Sequence, residues 1–205
     1  MNKIKKVGLY GGGFDPIHLG HKELIDFVIE QCDFDEIWLM PAYAHTFNKN
    51  MIDCSYRIDM CNLVKLHAET FDNKGTKILV SDFECKHKLN GSTYDMITKL
   101  RPENPDVEFS FLIGQDNANC IEKWQKHEEL RKILNFVVIP RNGYKTEDDA
   151  WYTKEPHSIL FGRVPEMFVS STIIRDHIKT YGYKDLEKYL NPLVIDYIML
   201  KKLYK

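Results

Sequence analysis

No run in this sequence approaches the roughly 18 apolar residues that a membrane-spanning helix needs. The opening MNKIKKVGLYGGG lacks the apolar stretch of about 7–15 residues and the small-residue cleavage site of a secretory signal. An excess of one charge sign is missing too. Lys and Arg number 28 against 30 Asp and Glu, a formal net charge of −2, which removes the electrostatic case for a long nucleic-acid partner and leaves room only for a local basic pocket. The five cysteines, Cys32, Cys54, Cys61, Cys85 and Cys120, are scattered and form no C-x-x-C. That argues against a disulfide framework or zinc knuckle, and for small buried thiols kept reduced in a cytoplasm. Repeats and low-complexity tracts are absent, and the one compositional break is the polar, turn-rich stretch RNGYKTEDDAWYTKEPH, read as a surface loop.

What remains is a chain of 205 residues, enough for one α/β domain with a real core. Short apolar runs alternate with helical patterns. Ile4 to Tyr10, EIWLMPA, TKILVSDFE, VEFSFLIGQD, NFVVIPR and SILFGRV read as strands. HKELIDFVIEQC, YRIDMCNLVKLHAE, TYDMITKLRPE, WQKHEELRKI, STIIRDHIKTYG and NPLVIDYIMLKKLY read as helices, the last with Pro192 in its first turn. This alternation predicts a doubly wound parallel sheet with helices on both faces, its ligand beyond the carboxyl ends of the strands. A single domain over 1–205 is expected, with a C-terminal helical part from about 170.

The chemistry concentrates in YGGGFDPIHLGH, Tyr10 to His21. A strand, then glycines, then a helix beginning between Leu19 and Lys22 brings backbone N–H groups and a positive helix end to one place, a cradle for an anion. Neither the Walker A pattern nor G-x-G-x-x-G fits. His18 and His21 are three apart and face one side of a helical turn, where both can donate to phosphate oxygens and stabilise charge on a leaving group. A zinc site lacks a third and fourth ligand at suitable spacing. His67, His87, His127, His157 and His177 have no such context and are read as surface or structural.

GGGFDPIHLGH resembles the G-[TS]-F-D-P-x-H-x-G-H signature of the H-x-G-H nucleotidyltransferases, and SSTIIR, Ser170 to Arg175, resembles that superfamily's S-S-T-x-x-R element. LIGQDNANCIEKWQKHEEL, FVVIPRNGY and the ending YLNPLVIDYIMLKKLY extend the likeness over nearly the whole chain, and they are most similar to the nicotinate-mononucleotide adenylyltransferases. Three places depart from that family. Gly13 stands where Thr or Ser is usual, PAYAHTFNKN replaces P-P-H-K, and STY replaces S-Y-T.

The resemblance implies a Rossmann-like nucleotidyltransferase fold. It implies a cytoplasmic enzyme that joins ATP and nicotinate mononucleotide into deamido-NAD and pyrophosphate, with Mg2+ travelling with the triphosphate rather than on protein side chains. Gly12, Gly13 and Phe14 would hold the α-phosphate region by backbone amides. His18, His21 and Arg175 would serve the transfer, Arg175 as a fork on the outer phosphates. Ser171 and Thr172 would open the helix that carries Arg175, and Gly114 and Asp116 would meet the ribose at the end of the fourth strand. Asp15, His45, Lys49, Thr93, Tyr94, Trp124 and Arg141 would receive the pyridine nucleotide, Trp124 by stacking. Nicotinamide mononucleotide or another phosphate ester such as pantetheine phosphate is the alternative acceptor, and a nucleotide-binding sensor without catalysis the alternative class. Self-association is left open.

Overall fold

The computed structural model describes residues 3–44, 50–68, 75–162, 164 and 169–205, of which side chains 66–68 are left aside. Six strands form one sheet in the order β3-β2-β1-β4-β5-β6. They are β1 (Lys5–Gly12), β2 (Glu36–Pro41), β3 (Lys77–Val80), β4 (Val107–Gly114), β5 (Asn135–Ile139) and β6 (Ser158–Ile159), and every pair is parallel. The order reverses between β1 and β4, the place where open sheets of this kind leave a crevice at their carboxyl ends.

The period of two along each strand sorts side chains to two cores. Ile37, Leu39, Leu112, Val137 and Ile139 face one core, together with α1 (Leu19–Gln31), α2 (Cys54–Ala68), α7 (Ser171–Tyr181) and α8 (Pro192–Lys201). Val7, Leu9, Met40, Phe109, Phe111, Phe136 and Val138 face the other, where α4 (Thr93–Glu103) and α6 (His127–Ile133) pack. The doubly wound sheet expected from the alternating pattern is therefore present. The helix ends follow local chemistry. Ser170 caps α7 by accepting the Ile173 N–H, Gly182 closes it at φ 67°, and Asn191 caps α8 ahead of Pro192.

Several boundaries differ from the sequence reading. The third strand stops at Val80, because Phe83–Lys86 forms a short helix, α3. The fourth ends at Gly114, and Asp116 lies in the first turn of α5 (Gln115–Ala118) rather than in the strand. The sixth keeps only two residues, and Trp124 precedes α6 instead of opening it. Cys54 at the start of α2 and Cys85 of α3 lie side by side, their Cα atoms 6.3 Å apart across 31 positions of sequence. Cys32, Cys61 and Cys120 stay free. Among the described residues, no helix is long and apolar enough to cross a membrane.

Candidate active site

The turn after β1 is tighter than its three glycines suggested. Gly11 and Gly12 still belong to the strand, paired with Met40 and Pro41 of β2, so only Gly13 leaves it. At Gly12 a Cβ would stand 3.0 Å from the ring of Phe14, a tight contact that the ring would have to relieve by a few tenths of an ångström. The left-handed residue of the turn is Phe14 itself, at φ 47°. A bulky side chain holds such a backbone only when its surroundings over-determine it, and here the phenyl ring is buried in the first core.

His18 is the N-cap of α1. Its backbone N–H donates to Nδ1 of His21 at 3.1 Å, which makes Nδ1 the acceptor and assigns the proton of the neutral ring to Nε2. The two imidazoles lie 3.7 Å apart, tilted by 31°. Burial lowers the His18 pKa to about 4. Burial, then the neighbouring His18 and Arg141, holds His21 well below the usual histidine value. Both are therefore neutral donors near pH 7, not cations. His21 also packs edge-on against Phe14 at 5.1 Å.

Two arginines grip the same turn. Arg175, one turn into α7, donates through Nη1 to the Asp15 carbonyl at 2.7 Å and through Nη2 to Thr172 Oγ1 at 3.1 Å. Ser171, expected as a cap, instead donates its hydroxyl to the Pro16 carbonyl at 2.9 Å, the cap being Ser170. Arg57 of α2 was missed from sequence. It is 1% exposed and donates through Nη1 to the Gly13 carbonyl at 2.7 Å and through Nε to the Ile52 carbonyl at 3.0 Å. The available signal was an arginine on the helix face that Met60, Cys61 and Val64 bury, where a charge requires a partner. A second buried polar group, Glu84 of α3, accepts the Tyr43 N–H, and burial raises its carboxyl to about 7.

Across the switch point, β4 and β5 end on a small polar cluster. Gly114 leads into Asp116, whose Oδ1 accepts Arg141 Nε at 3.2 Å. Gln115, also missed, is 1% exposed. Its Oε1 accepts the Arg141 N–H at 3.1 Å and its Nε2 donates to Thr146 Oγ1 at 3.0 Å. The polar stretch after β5 is thereby tied down, and Tyr152 completes the tie by donating to Asn119 Oδ1 at 2.8 Å.

Between these clusters lies a cavity of about 880 Å³, of a size that holds a small-molecule ligand. Its walls include Gly12 of β1 and the Gly13 that follows it, Gly114, Arg141, Trp124, and Thr93 at the start of α4. Trp124 stands edge-on to Phe111 at 5.9 Å. Tyr94 is placed away from this wall, packed on the second core beneath Lys126. Asp15 is buried at 4% exposure beside Arg175. His45 and Lys49 lie outside the described residues. The arrangement can hold a polyanion at the turn by amides, neutral imidazoles and a guanidinium, and an aromatic ring at the Trp124 end. Among the described residues no three His, Cys, Asp or Glu side chains cluster as metal ligands.

A family model described as cytidylyltransferase-like matches residues 9–177. A probable nicotinate-nucleotide adenylyltransferase of Enterococcus faecalis is 34% identical over 98% of this chain and 85% of its own. The nicotinate-nucleotide adenylyltransferase of Bacillus subtilis is 33% identical over 86% of this chain and 87% of its own. Among solved structures, a nicotinic acid mononucleotide adenylyltransferase of Plasmodium falciparum complexed with NaAD superposes with a TM-score of 0.81. It is 26% identical and covers 98% of this chain and 97% of the other.

Proposed function

We propose, from the premise that the chain belongs to the cytidylyltransferase-like family and within it to the nicotinate-nucleotide adenylyltransferases, that it transfers the adenylyl group of ATP to nicotinate mononucleotide. A phosphate oxygen of the mononucleotide attacks the α-phosphorus in line. The new O–P bond forms as the bond to the β-phosphate oxygen breaks, and deamido-NAD and pyrophosphate leave. Such a transfer requires no protein nucleophile, only placement and charge stabilisation.

The observation that carries the reading is the turn beside the cavity wall at Gly12 and Gly13, where His18 is bonded to His21 and where Arg175 closes on the Asp15 carbonyl across 160 positions of sequence. In this reading the amides of Gly12 to Phe14 face the α-phosphate. The Nε2–H of His21 donates to the phosphate chain as charge moves onto the leaving oxygen, with His18 beside it, and Arg175 carries the outer phosphates. Asp116 accepts from the ribose hydroxyls. Trp124 offers its face to the pyridine ring, and the first amides of α4 at Thr93 offer donors for its carboxylate. Magnesium enters as part of the MgATP substrate, held by phosphate oxygens and water. The sharing of one core by α7, α8, α1 and α2 supports a single domain over 1–205, and the use of ATP suits a cytoplasmic setting.

The test is pyrophosphate release from MgATP with a panel of acceptors: nicotinate mononucleotide, nicotinamide mononucleotide and pantetheine phosphate. The expected outcome is turnover with the nicotinate compound and at least about tenfold lower kcat/KM with the amide, the worth of one charged hydrogen bond. Equal use of the amide would overturn the acceptor assignment, and release with none of the three would overturn the reaction.

A further inference from the structure

Tyr204 is 189 positions from Asp15, yet its hydroxyl donates to the Asp15 carboxylate at 2.8 Å. The segment that delivers it bends against ordinary backbone preference. Past the end of α8, Lys202 and Tyr204 both take left-handed φ angles, 54° and 66°, which a bulky residue keeps only where other contacts impose them. Those contacts are present. Leu203 is buried in the first core, its carbonyl accepts the Tyr183 hydroxyl at 3.1 Å, and its N–H closes on the Ile198 carbonyl at 3.0 Å.

The carboxylate that receives Tyr204 stands between the two arginines of the turn. Its Oδ1 takes the phenol, while Oδ2 lies 3.8 Å from Arg175 Nη1, the same nitrogen that donates to the Asp15 carbonyl. Arg57 is attracted to the same carboxylate while it holds the Gly13 carbonyl. Burial and the nearby negative charge push the Tyr204 phenol far above its ordinary value, so it remains a donor across the working pH range. The orientation of one buried carboxylate thus sets how far Arg175 is drawn inward. With the phenol in place the gap of 3.8 Å persists. Without it, Oδ1 loses its donor, the carboxylate is free to rotate, and a direct ion pair with Arg175 becomes the better arrangement.

We propose that Tyr204 is a positioning residue for adenylyl transfer: its hydroxyl fixes the Asp15 carboxylate, and so keeps the Arg175 guanidinium where it meets the triphosphate. The inference rests on the reading of the site given above and deepens it. Tyr204 touches no reacting atom and acts through Asp15.

The experiment is a double-mutant cycle of Tyr204→Phe and Asp15→Asn, with pyrophosphate release and the ATP-induced rise in melting temperature measured on each protein. Tyr204→Phe should lower kcat about 10-fold, less than the ~100-fold cost of a 1 Å misplacement, because Arg175 keeps its bond to the Asp15 carbonyl. KM for the mononucleotide should stay within about twofold, and the ATP-induced melting shift should shrink. In the Asp15→Asn background the same change should cost less than about twofold, since coupled residues are not additive. An unchanged kcat, a loss equal in both backgrounds, or a fall in melting temperature that leaves the ATP-induced shift intact would each overturn the proposal. So would a Tyr204→Phe protein that does not fold, which would make the hydroxyl structural. If the unmutated protein released no pyrophosphate, the reaction assignment would fall, while the melting shift would still report on Tyr204.

Discussion

Replacing Gly114 by alanine separates recognition from stability at one atom. Gly114 has φ −68° and ψ 145°, a conformation open to any residue, so alanine meets no backbone penalty and gains the ~0.4–1 kcal/mol of a stiffer unfolded chain. Its Cβ would stand 2.5 Å from Asp116 Oδ1 and 3.3 Å from Arg141 Nε. Carbon and oxygen settle at about 3.3 Å or more, so the carboxylate must retreat by roughly 0.8 Å and give up its 3.2 Å contact with Arg141. That pair is 44% and 37% exposed and is worth at most about 1 kcal/mol, so the two effects on stability nearly cancel. The effect on ATP does not cancel. A charged hydrogen bond to a ribose hydroxyl is worth about 1.5–3 kcal/mol, a 10- to 100-fold rise in KM for ATP. Steady-state pyrophosphate release with ATP varied, beside a thermal melt, reads both quantities. Asp116→Ala should give the same rise, and the double substitution should add nothing to it. A Gly114→Ala enzyme with normal KM for ATP, or a double substitution equal to the sum of the two, would refute the assignment of Asp116 to the ribose.

Further outcomes follow from the other buried groups. His21→Ala should fold and lose about 10²-fold or more in turnover, as a transition-state donor would, and near-normal turnover would remove it from the mechanism. Because both histidines are neutral well below pH 6.5, kcat should show no inflection between pH 6 and 8; a clear one near 6.5 would contradict the donor assignment. His18 binds its proton near pH 6.5 when unfolded and at about 4 when folded, so stability is full above 6.5 and falls with pH down to 4, by about 2 kcal/mol at pH 5. Urea melts of His18→Gln should lack that loss. Glu84 behaves with opposite sign: folded it keeps its proton to about 7 and unfolded it releases it near 4.5, so stability falls as pH rises between them. Glu84→Gln should therefore stabilise the protein at pH 8 relative to pH 5 by roughly 2–3 kcal/mol, and equal effects at both values would count against a protonated buried carboxyl.

The helices that were legible carried their own punctuation. The hydroxyl run before STIIRDHIKTYG and Asn191 before Pro192 mark starts that the structure keeps, and Gly182 marks the stop. The short helices α3 and α5 were not legible. Four residues at a strand's exit have no period to read, and their apolar members continue the strand's own pattern. Arg57 and Gln115 escaped for a related reason. Gln115 looks like an ordinary solvated side chain until the Arg141 amide is placed next to it, and Arg57, though it shares an apolar helix face, has no visible partner until the Gly13 carbonyl is brought to it. The same holds for the adjacent pair Cys54 and Cys85, whose spacing carries no signature.

Local chemistry in the chain was enough to determine the alternation of strand and helix, and so the parallel sheet. It also determined the strand-to-turn-to-helix passage from Gly12 to His21, because periodicity, caps and a glycine-to-helix transition act between near neighbours. Tertiary structure alone decided which groups face one another across long separations. It made Phe14 rather than a glycine the left-handed residue, set Ser171 on Pro16 instead of on its own helix, and brought Arg57, Arg175 and Tyr204 to a single turn. Those partners are fixed by how two cores close around the sheet, and that closure depends on the whole set of buried side chains at once.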